Sequence, residues 1–372
     1  MRLRQHLMTL LALPIRRSIP LSSPSCQRRL FKRISLMTRP LKLSILDQTP
    51  VISGQRVADA VAATVDFAQA ADTLGFYRYW CAEHHGARSV ANPCPEVMIA
   101  RLASATKRLR IGSGGIMLPY YSSWKVAEQF LMLEALFPGR IDLGVGRAPG
   151  SDQRTARAVS PSGLRSDLFP QQVQELIWLF TNTVPEGHAY HGLVLQPEIE
   201  TQPELWMLGS SDFGASLAAH LGIPFCFAQF INAQHGDAIM QMYRDNFQPG
   251  FEAKPRSAVA VFAIVTETEA EAADITAAVD LRRLFMAYGQ NLPVPTIEEA
   301  QSLEYSERDR QVMLNERPRS IIGTPEQVAE RMRALQDKFQ TDEILVLTVA
   351  PSLKARFRTI ELLAQTFALE SA

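Results

Sequence analysis

Short apolar segments alternate with helix-forming segments from Leu41 onward, and no other feature of the sequence constrains the fold as strongly. The apolar segments are bounded by turn residues, which is typical of buried strands. Strands beside helices predict a parallel sheet, and eight strands, each followed by a helix, are what a (β/α)8 barrel requires. A doubly wound open sheet is the other arrangement that the alternation allows. The eight predicted strands are Leu41–Leu46, Tyr77–Ala82, Leu109–Met117, Ile141–Val145, Leu205–Leu208, Phe225–Ala228, Val259–Val265 and Glu343–Thr348.

The predicted barrel is one domain that extends over residues 41–372, and residues 1–40 form a separate extension. A barrel of this kind typically needs roughly 250 residues, so the chain is long enough to carry insertions. Two are predicted, one before the fifth strand at 150–203 and one before the eighth strand at 281–322.

The extension at residues 1–40 contains nine Lys and Arg residues and no acidic residue. Its Arg- and Ser-rich composition fits a transit peptide. The apolar stretch Leu7–Ile15 fits a secretory signal, although no small-residue cleavage pattern follows it. A third interpretation is an upstream start codon, with Met37 opening the domain just before the first strand. In all three cases the extension lies outside the barrel.

Charge and cysteine content exclude several classes of protein. The chain has 38 basic and 38 acidic residues, and nine of the basic ones lie in the extension, so the predicted barrel is acidic. An acidic surface disfavours a nucleic-acid partner. No apolar run of about 18 residues occurs, so neither a spanning helix nor a membrane partner is expected. The four cysteines have no regular spacing, so we predict a reducing cytoplasmic location, or an organelle if the extension is a transit peptide.

Glu83-His84-His85 directly follows the second predicted strand, and the chemistry of a (β/α)8 barrel takes place at the carboxyl ends of its strands. Imidazole is a natural general base near neutral pH. Because side chains alternate along a strand, the two rings are expected to point to different sides, and only one would serve the cavity. A structural pair of histidines is the alternative. A metal site is disfavoured, since no standard ligand spacing relates these residues to Cys81 and Cys94.

Glycines and an arginine follow the next two strands. The third strand runs into Gly112–Pro119, and glycine inside an apolar strand marks either a close approach to the backbone, for example by a flat ring, or a bulge. The fourth strand ends in Gly144–Gly150, where the third glycine and Pro149 do not fit a dinucleotide fingerprint. Arg147 offers a fork of donors to a phosphate or an anionic ring, unless it forms a surface ion pair.

Small hydroxyl residues open the helix after the fifth strand. The segment Gly209–Gly214 would place free N–H groups and the hydroxyls of Ser210 and Ser211 around one point, where a phosphate binds readily. N-capping by Ser211 or Asp212 explains the same residues without a ligand. After the first strand, Asp47–Pro50 is interpreted as a turn rather than as a lining of the barrel opening.

Together, these segments resemble the bacterial luciferase-like family of flavin-dependent monooxygenases. Each segment is short, so the resemblance depends on their joint order and on their positions after predicted strands, and it is specific to the family rather than to one substrate. The matching segments extend over about 41–350 and are Ile45–Pro50, Ala82–His85, Gly112–Pro119, Phe137–Gly144, Gly146-Arg147, Gly209–Ser211 and Gly323–Glu326.

The resemblance implies a (β/α)8 barrel that binds reduced flavin mononucleotide (FMN) at its carboxyl-terminal opening. In this family the reduced flavin is supplied by a separate reductase and reacts with molecular oxygen to oxidise a substrate. His84 is similar to the catalytic histidine of the family. Gly114-Gly115 matches a non-proline cis peptide bond beneath the flavin ring.

The resemblance also implies which residues bind the phosphate-bearing tail of the flavin. Arg147 matches an arginine close to this tail, and Ser210, Ser211 and Gly214 match the turn that binds the phosphate. The luciferase proper has an acidic residue and a threonine where this chain has Ser210 and Gly214. The backbone donors remain, so flavin binding is expected, whereas luminescence is not implied.

Two other functions stay open. One is a deazaflavin-dependent hydride transferase on the same barrel, although its longer anionic tail needs basic residues near Ser210 and His220 is the one candidate within ten residues. The other is a non-catalytic flavin-binding protein, which the cluster Glu83–His85 disfavours because a pure binder needs no acid/base group.

The substrate is expected to be a small apolar organic molecule, since the insertion at 281–322 contributes apolar side chains. A homodimer is also expected, because the family often dimerises, with Phe130 or Phe137 serving at the interface or in the core. The apolar residues of the insertion are Phe285, Met286, Tyr288 and Leu292.

Overall fold

A computed structural model describes residues 39–148, 150–161 and 163–371, and the predictions for residues 1–38 lie outside them. The strands are β1 Lys42–Asp47, β2 Arg78–Cys81, β3 Arg110–Ser113, β4 Ile116–Met117, β5 Ile141–Gly146, β6 Glu204–Gly209, β7 Phe225–Ala228, β8 Ser257–Val265, β9 Ser320–Gly323 and β10 Glu343–Leu347. The helices are α1 Val57–Leu74, α2 Pro95–Ala105, α3 Ser123–Leu136, α4 Gln153–Val159, α5 Phe169–Thr181, α6 Asp212–Leu221, α7 Gly236–Asp245, α8 Glu269–Ala287, α9 Ile297–Gln301, α10 Glu307–Glu316, α11 Pro325–Phe339 and α12 Leu353–Thr366.

The sheet closes into an eight-stranded parallel barrel. Parallel pairing runs β1–β2–β3–β5–β6–β7–β8–β10 and returns from β10 to β1, where Ile45 pairs with Val346. Helices lie between successive strands, as the βαβ alternation requires. The predicted (β/α)8 barrel is therefore confirmed, and the open sheet is excluded because both of its edges would have to be unpaired.

Two strands differ from the prediction. The third predicted strand is interrupted, because β3 pairs with the start of β5 while β4 pairs with its end, and Gly114-Gly115 lies between them. The insertion at 281–322 also contributes a strand that the sequence reasoning missed. This strand, β9, pairs with the carboxyl half of β8, from Phe262 with Ser320 to Val265 with Gly323. Its four residues include only two apolar ones, Ile321 and Ile322, which are too few for a recognisable strand pattern.

Charged side chains fill the amino end of the barrel interior. Arg78 Nη1 lies 2.6 Å from Asp142 Oδ2, and its Nε lies 2.6 Å from Glu343 Oε1. Arg110 also pairs with Asp142, at 2.6 Å. Although burial raises the pKa of Glu204, the charges of three neighbouring arginines lower this pKa to about 2. The cluster therefore compensates each buried charge within the barrel.

Two tryptophans form the next layer toward the carboxyl end. The rings of Trp80 and Trp206 are 5.3 Å apart at 69°, in an edge-to-face arrangement. Trp80 Nε1 donates to Asp142 Oδ2 at 2.9 Å, which joins this layer to the charged layer below it. Apolar side chains such as Leu46, Phe262 and Leu347 continue the interior toward the carboxyl end. Side chains thus fill the barrel interior from its amino end, and a ligand has access from the carboxyl end.

The larger core lies between the strands and the surrounding helices. Phe130 is fully buried in this core, and the half-buried Phe137 packs against it. Within the described residues, no helix is both long enough and apolar enough to cross a membrane.

Candidate active site at the carboxyl end of the barrel

The carboxyl-terminal opening of the barrel, here called the mouth, has one wall without side chains. Toward the carboxyl end of β3 and β5, beyond the charged layer, the inward positions are Gly112, Gly114, Gly144 and Gly146. A Cβ atom on Gly114 would lie 2.5 Å from Leu46 Cδ1 and 2.9 Å from Trp80 Cβ, whereas a Cβ atom on Gly146 would meet nothing within 4 Å. Leu46 and Trp80 therefore form a floor, and open space begins at Gly146. The peptide bond Gly114-Gly115 is cis, as the resemblance implied.

His84 follows β2, the strand that pairs with β3 on one side of this wall. Its backbone N–H donates to Asn92 O at 3.1 Å, and its Nδ1 is buried without a hydrogen-bond partner. Burial, followed by the charges of Arg282 and His85, lowers the pKa of His84 to about 4. The imidazole is therefore neutral near pH 7, with one nitrogen that can accept a proton and one that can donate one.

Glu83 and His85 have a different part in the structure. The buried carboxylate of Glu83 accepts hydrogen bonds from Tyr121 Oη at 2.6 Å, Met117 N at 2.8 Å and His85 Nε2 at 2.6 Å. The His85 ring also packs edge-on against Tyr120 at 5.7 Å. The two neighbouring histidines are thus not equivalent, as the strand alternation suggested, because His85 is held by Glu83 and His84 is not.

Arg147 and the start of α6 meet at the ends of β5 and β6. The Arg147 guanidinium lies 3.9 Å from the centre of the Phe213 ring, and no carboxylate pairs with it in the part of the chain that the structure describes. Asn232 Nδ2 donates to Ser210 O at 3.0 Å and holds the turn. Ser211 is the N-cap residue of α6, but its hydroxyl makes no capping hydrogen bond. The capping interpretation therefore fails for Ser211, whose hydroxyl is available to a ligand.

Two other residues of this turn have structural roles. Asp212 Oδ1 accepts from Phe213 N at 2.8 Å. Gly214 is buried, and its Cα lies near the Cα of Gly209 and the ring of Phe225, so it allows α6 to lie close to the sheet. The remaining N–H groups of the first turn point away from the helix end and suit an anion.

The side chain of Asp47, the last residue of β1, holds the start of the following segment. Asp47 Oδ1 accepts from Thr49 N at 2.9 Å and from Arg356 Nη2 at 2.6 Å, and Asp47 also accepts from the Tyr79 hydroxyl. These partners lie between the barrel and α12, on the outer side of the sheet. Asp47 therefore has a structural role, in agreement with the turn interpretation of Asp47–Pro50.

Helix α8, which begins before the predicted insertion and ends within it, packs over the mouth. Ile275 and Val279 join the interior cluster that contains Phe262 and Leu347. Arg282 lies one turn further along the same face of α8. The sequence reasoning missed this residue. A charge that follows two apolar residues at helical spacing was the available signal.

The predicted apolar wall has a different arrangement. Phe285 packs between α8 and α9, against a small cluster that includes Leu281 and Ala300. Met286, Tyr288 and Leu292 are exposed. These residues therefore do not form one apolar surface over the barrel interior, because α8 presents Ile275 and Val279 to it instead.

The residues of the mouth fit a flavin. The wall without side chains offers a flat surface beside open space, His84 Nδ1 is buried without a partner, and Arg147 with Ser211 offers unused donors. Gln229, which follows β7, is also buried with an unpartnered carbonyl oxygen. Within the described residues, no group of three or more His, Cys, Asp or Glu side chains could hold a metal ion.

Comparisons with known proteins agree with this geometry. The profile of a family described as luciferase-like monooxygenase matches residues 41–341. The protein YwcH of Bacillus subtilis is 42% identical over 88% of this chain and 99% of its own length. The N-acetyl-S-alkylcysteine monooxygenase of Bacillus subtilis is 36% identical over 83% of this chain and 92% of its own length.

Solved structures show the same architecture. The apo-MsnO8 structure superposes with a TM-score of 0.82 at 33% identity, over 89% of this chain and 100% of that one. Two more distant structures share the fold. An FMN complex of the oxygenating constituent of 3,6-diketocamphane monooxygenase from Pseudomonas putida has a TM-score of 0.63 at 16% identity, over 90% of this chain and 99% of that one. An F420-dependent secondary alcohol dehydrogenase has a TM-score of 0.60 at 14% identity, over 87% and 99%.

Proposed function

The chain belongs to the luciferase-like monooxygenase family, and on that premise we propose that it uses reduced FMN and molecular oxygen to oxidise a small organic substrate. The proposal includes a separate flavin reductase as the source of reduced FMN. The observation that carries it is the glycine wall of the mouth, which has open space at Gly146 and the unpartnered Nδ1 of His84 beside it.

The mouth offers separate places to the ring and to the phosphate of FMN. The backbone of Gly114 and Gly115 presents a surface without side chains, on which a flat ring can stack. The phosphate would bind at the start of α6, where Arg147, Ser210 and Ser211 surround free N–H groups. When bound, the flavin supplies the redox chemistry, and the residues below orient it and handle protons.

His84 is the proposed acid/base residue. Its low pKa keeps the imidazole neutral, so its buried Nδ1 can accept a proton from, or hold a hydrogen bond to, a group bound above the wall. Glu83 is a positioning residue, since it holds His85 and the Met117 backbone but does not face the open space.

The segment after α8 is tied to the loops that follow β1 and β2. Asn291 accepts from Arg88 N at 2.6 Å and donates to Gly86 O at 2.7 Å. Val294 exchanges backbone hydrogen bonds with Val51 and Ser53, at 2.8 Å each. These contacts hold the segment against the loop that carries His84 and against the segment after β1.

The competing functions have weaker support. For a deazaflavin enzyme, His220 was the candidate partner of the longer tail, but it lies in the last turn of α6, at the opposite end from Ser210. The unpartnered nitrogen of His84 favours a catalytic function over flavin storage, because a storage protein needs no proton acceptor at the flavin ring.

The decisive experiment supplies each cofactor to the purified protein. Fluorescence titration with FMN and with a deazaflavin cofactor should give tighter binding of FMN. With reduced FMN from an added reductase, oxygen consumption should become coupled to product formation on a panel of small organic substrates, including thioethers. The His84→Ala variant should bind FMN with little change and lose most of the coupled oxidation. Failure to bind FMN would refute the proposal.

A further inference from the structure

Arg282 is a half-buried arginine at the mouth, and its Nε is buried without a partner. No oxygen accepts a hydrogen bond from its Nε, and no carboxylate, carbonyl or aromatic ring among the described residues contacts its guanidinium. A buried charge without compensation is costly, so proteins usually pair it. The described residues therefore supply no partner for this charge.

The neighbouring arginines show what a structural arginine does in this part of the fold. Arg283 Nη2 donates to Ser320 Oγ at 2.8 Å, and its Nη1 lies 3.2 Å from Glu316. Arg317 pairs with Asp280 at 2.7 Å. Both hold the insertion together. Arg282 lies beside Arg283 in the sequence and has none of these acceptors, so it is not used for the same purpose.

The placement of α8 brings Arg282 close to His84. Arg282 lies on the helix face of Ile275 and Val279, which pack into the barrel interior. The segment that follows α8 is tied through Asn291 to Gly86, two residues from His84. The charge of Arg282 is close enough to act on the His84 ring, and burial followed by the charge of Arg283 lowers the pKa of Arg282 itself to about 10.

This position is different from the proposed phosphate site. Arg147 and Ser210 follow β5 and β6, whereas α8 follows β8 and its far end reaches the loop after β2. The barrel order places β5 and β6 across the ring from β10 and β1. A flavin phosphate held by Arg147 therefore does not supply an anion to Arg282. The barrel interior between the two arginines is apolar and includes Leu46, Phe262 and Leu347.

We infer that Arg282 binds an anionic group of the substrate, and that the substrate joins a carboxylate to an apolar portion. The guanidinium fork suits a carboxylate, which it can bind through two parallel hydrogen bonds. The apolar portion would lie over the interior cluster, next to the ring and His84. This inference rests on the proposed function, because the bound molecule is taken to be the substrate of that reaction. The anion-binding site itself is formed by residues of this chain alone.

The test compares two ligands of the same shape, hexanoate and hexanamide, by calorimetry on the flavin-free protein and on the FMN-loaded protein. Wild type should bind hexanoate at least about tenfold more tightly than hexanamide, because a hydrogen-bonded ion pair replaces a neutral contact. Arg282→Met should lose most of this preference and Arg282→Lys should keep part of it. Arg310→Met, which removes an exposed arginine of α10, should leave the preference unchanged.

Stability provides a second readout. Arg282→Met should unfold at the same temperature as wild type or higher, since it removes a half-buried charge that has no compensating partner. A lower unfolding temperature together with an unchanged preference for hexanoate would assign Arg282 a structural role and overturn the inference. Equal affinity of wild type for the two ligands, or no binding of hexanoate, would also overturn it.

The cofactor arm separates this inference from the proposed function. FMN affinity is measured on the same proteins, so failure of wild type to bind FMN refutes the proposed function while the preference for hexanoate is still measured on the flavin-free protein. If Arg282→Met weakens the binding of reduced FMN and leaves hexanoate binding intact, the guanidinium serves the flavin, and the inference is wrong.

Discussion

The carboxylate of Glu83 accepts a hydrogen bond at 2.8 Å from the backbone N–H of Met117, 34 residues further along the chain. This contact joins the end of β2 to β4, the strand that resumes directly after Gly114-Gly115. The same carboxylate holds Tyr121 and His85. Together with the backbone hydrogen bond from Gly114 N to Cys81 O at 2.7 Å, this buried side chain therefore fixes the glycine wall relative to the loop that carries His84.

Glu83→Gln should loosen this arrangement. Three donors converge on the carboxylate, and an amide group would present its own N–H donors to at least one of them. We expect a loss of roughly 1–3 kcal/mol in the free energy of unfolding and weaker FMN binding, measured by urea denaturation and fluorescence titration. Glu330→Gln, at an exposed position of α11, is the control and should change neither. An unaltered Glu83→Gln protein would contradict this role.

The low pKa of His84 makes stability depend on pH. Its pKa is about 4 in the folded protein and 6.5 ordinarily, so the unfolded chain binds more protons between these values. The neutral ring's contribution is therefore complete above pH 6.5 and is lost as the pH falls toward 4, by about 3 kcal/mol at most.

His84→Gln, which cannot be protonated in this range, should lose less stability than wild type between pH 6.5 and 4. Urea denaturation across that range, with an NMR titration of the His84 ring, measures the effect. Identical pH profiles of the two proteins would show that His84 is not buried in its neutral form.

Two glycines of the wall should respond differently to substitution by alanine. The added methyl of Gly114→Ala would press on Leu46 and Trp80, and overpacking of this kind costs about 1–3 kcal/mol. The methyl of Gly146→Ala would enter open space, so stability should hardly change while FMN binding weakens. Thermal unfolding and FMN titration of both variants decide the matter. If Gly146→Ala binds FMN normally, the cofactor does not occupy that space.

Arg147→Met should weaken the binding of FMN about tenfold, because a charge-assisted contact to the phosphate is lost. Riboflavin lacks the phosphate, so its affinity should remain the same in both proteins. Fluorescence titration with the two flavins measures this difference. An equal loss for FMN and riboflavin would place Arg147 at the ring instead of at the phosphate.

Asp142→Asn should be among the most destabilising single substitutions of a charged residue. Asp142 accepts from Arg78 and Arg110 at 2.6 Å each and from Trp80 at 2.9 Å. Removing its charge leaves buried guanidinium groups uncompensated, at a cost of about 3–5 kcal/mol. Chemical denaturation is the measurement, with the exposed Asp66→Asn as a control. A loss below about 1 kcal/mol would mean that Glu204 and Glu343 suffice to compensate the arginines.

The amino-acid sequence by itself determined the class of fold and the places where chemistry can occur. Apolar alternation and turn residues act over a few neighbours, so they revealed seven barrel strands intact and the site segments that follow them, including His84, Gly114-Gly115, Arg147 and the Ser210 turn. The same short range explains the break in the third strand and the absence of β9 from the prediction, since both depend on pairing with β5 or β8 after the barrel has closed.

Only the tertiary structure decided how the site residues act on one another. Glu83 reaches Met117, Asn291 reaches Gly86, and Arg282 faces the surroundings of His84 across about 200 residues of sequence. Such contacts depend on closure of the ring and on the path of α8 over the mouth, which local propensity does not encode. The charges that lower the pKa of His84, and the lack of a partner for Arg282, are consequences of that long-range packing.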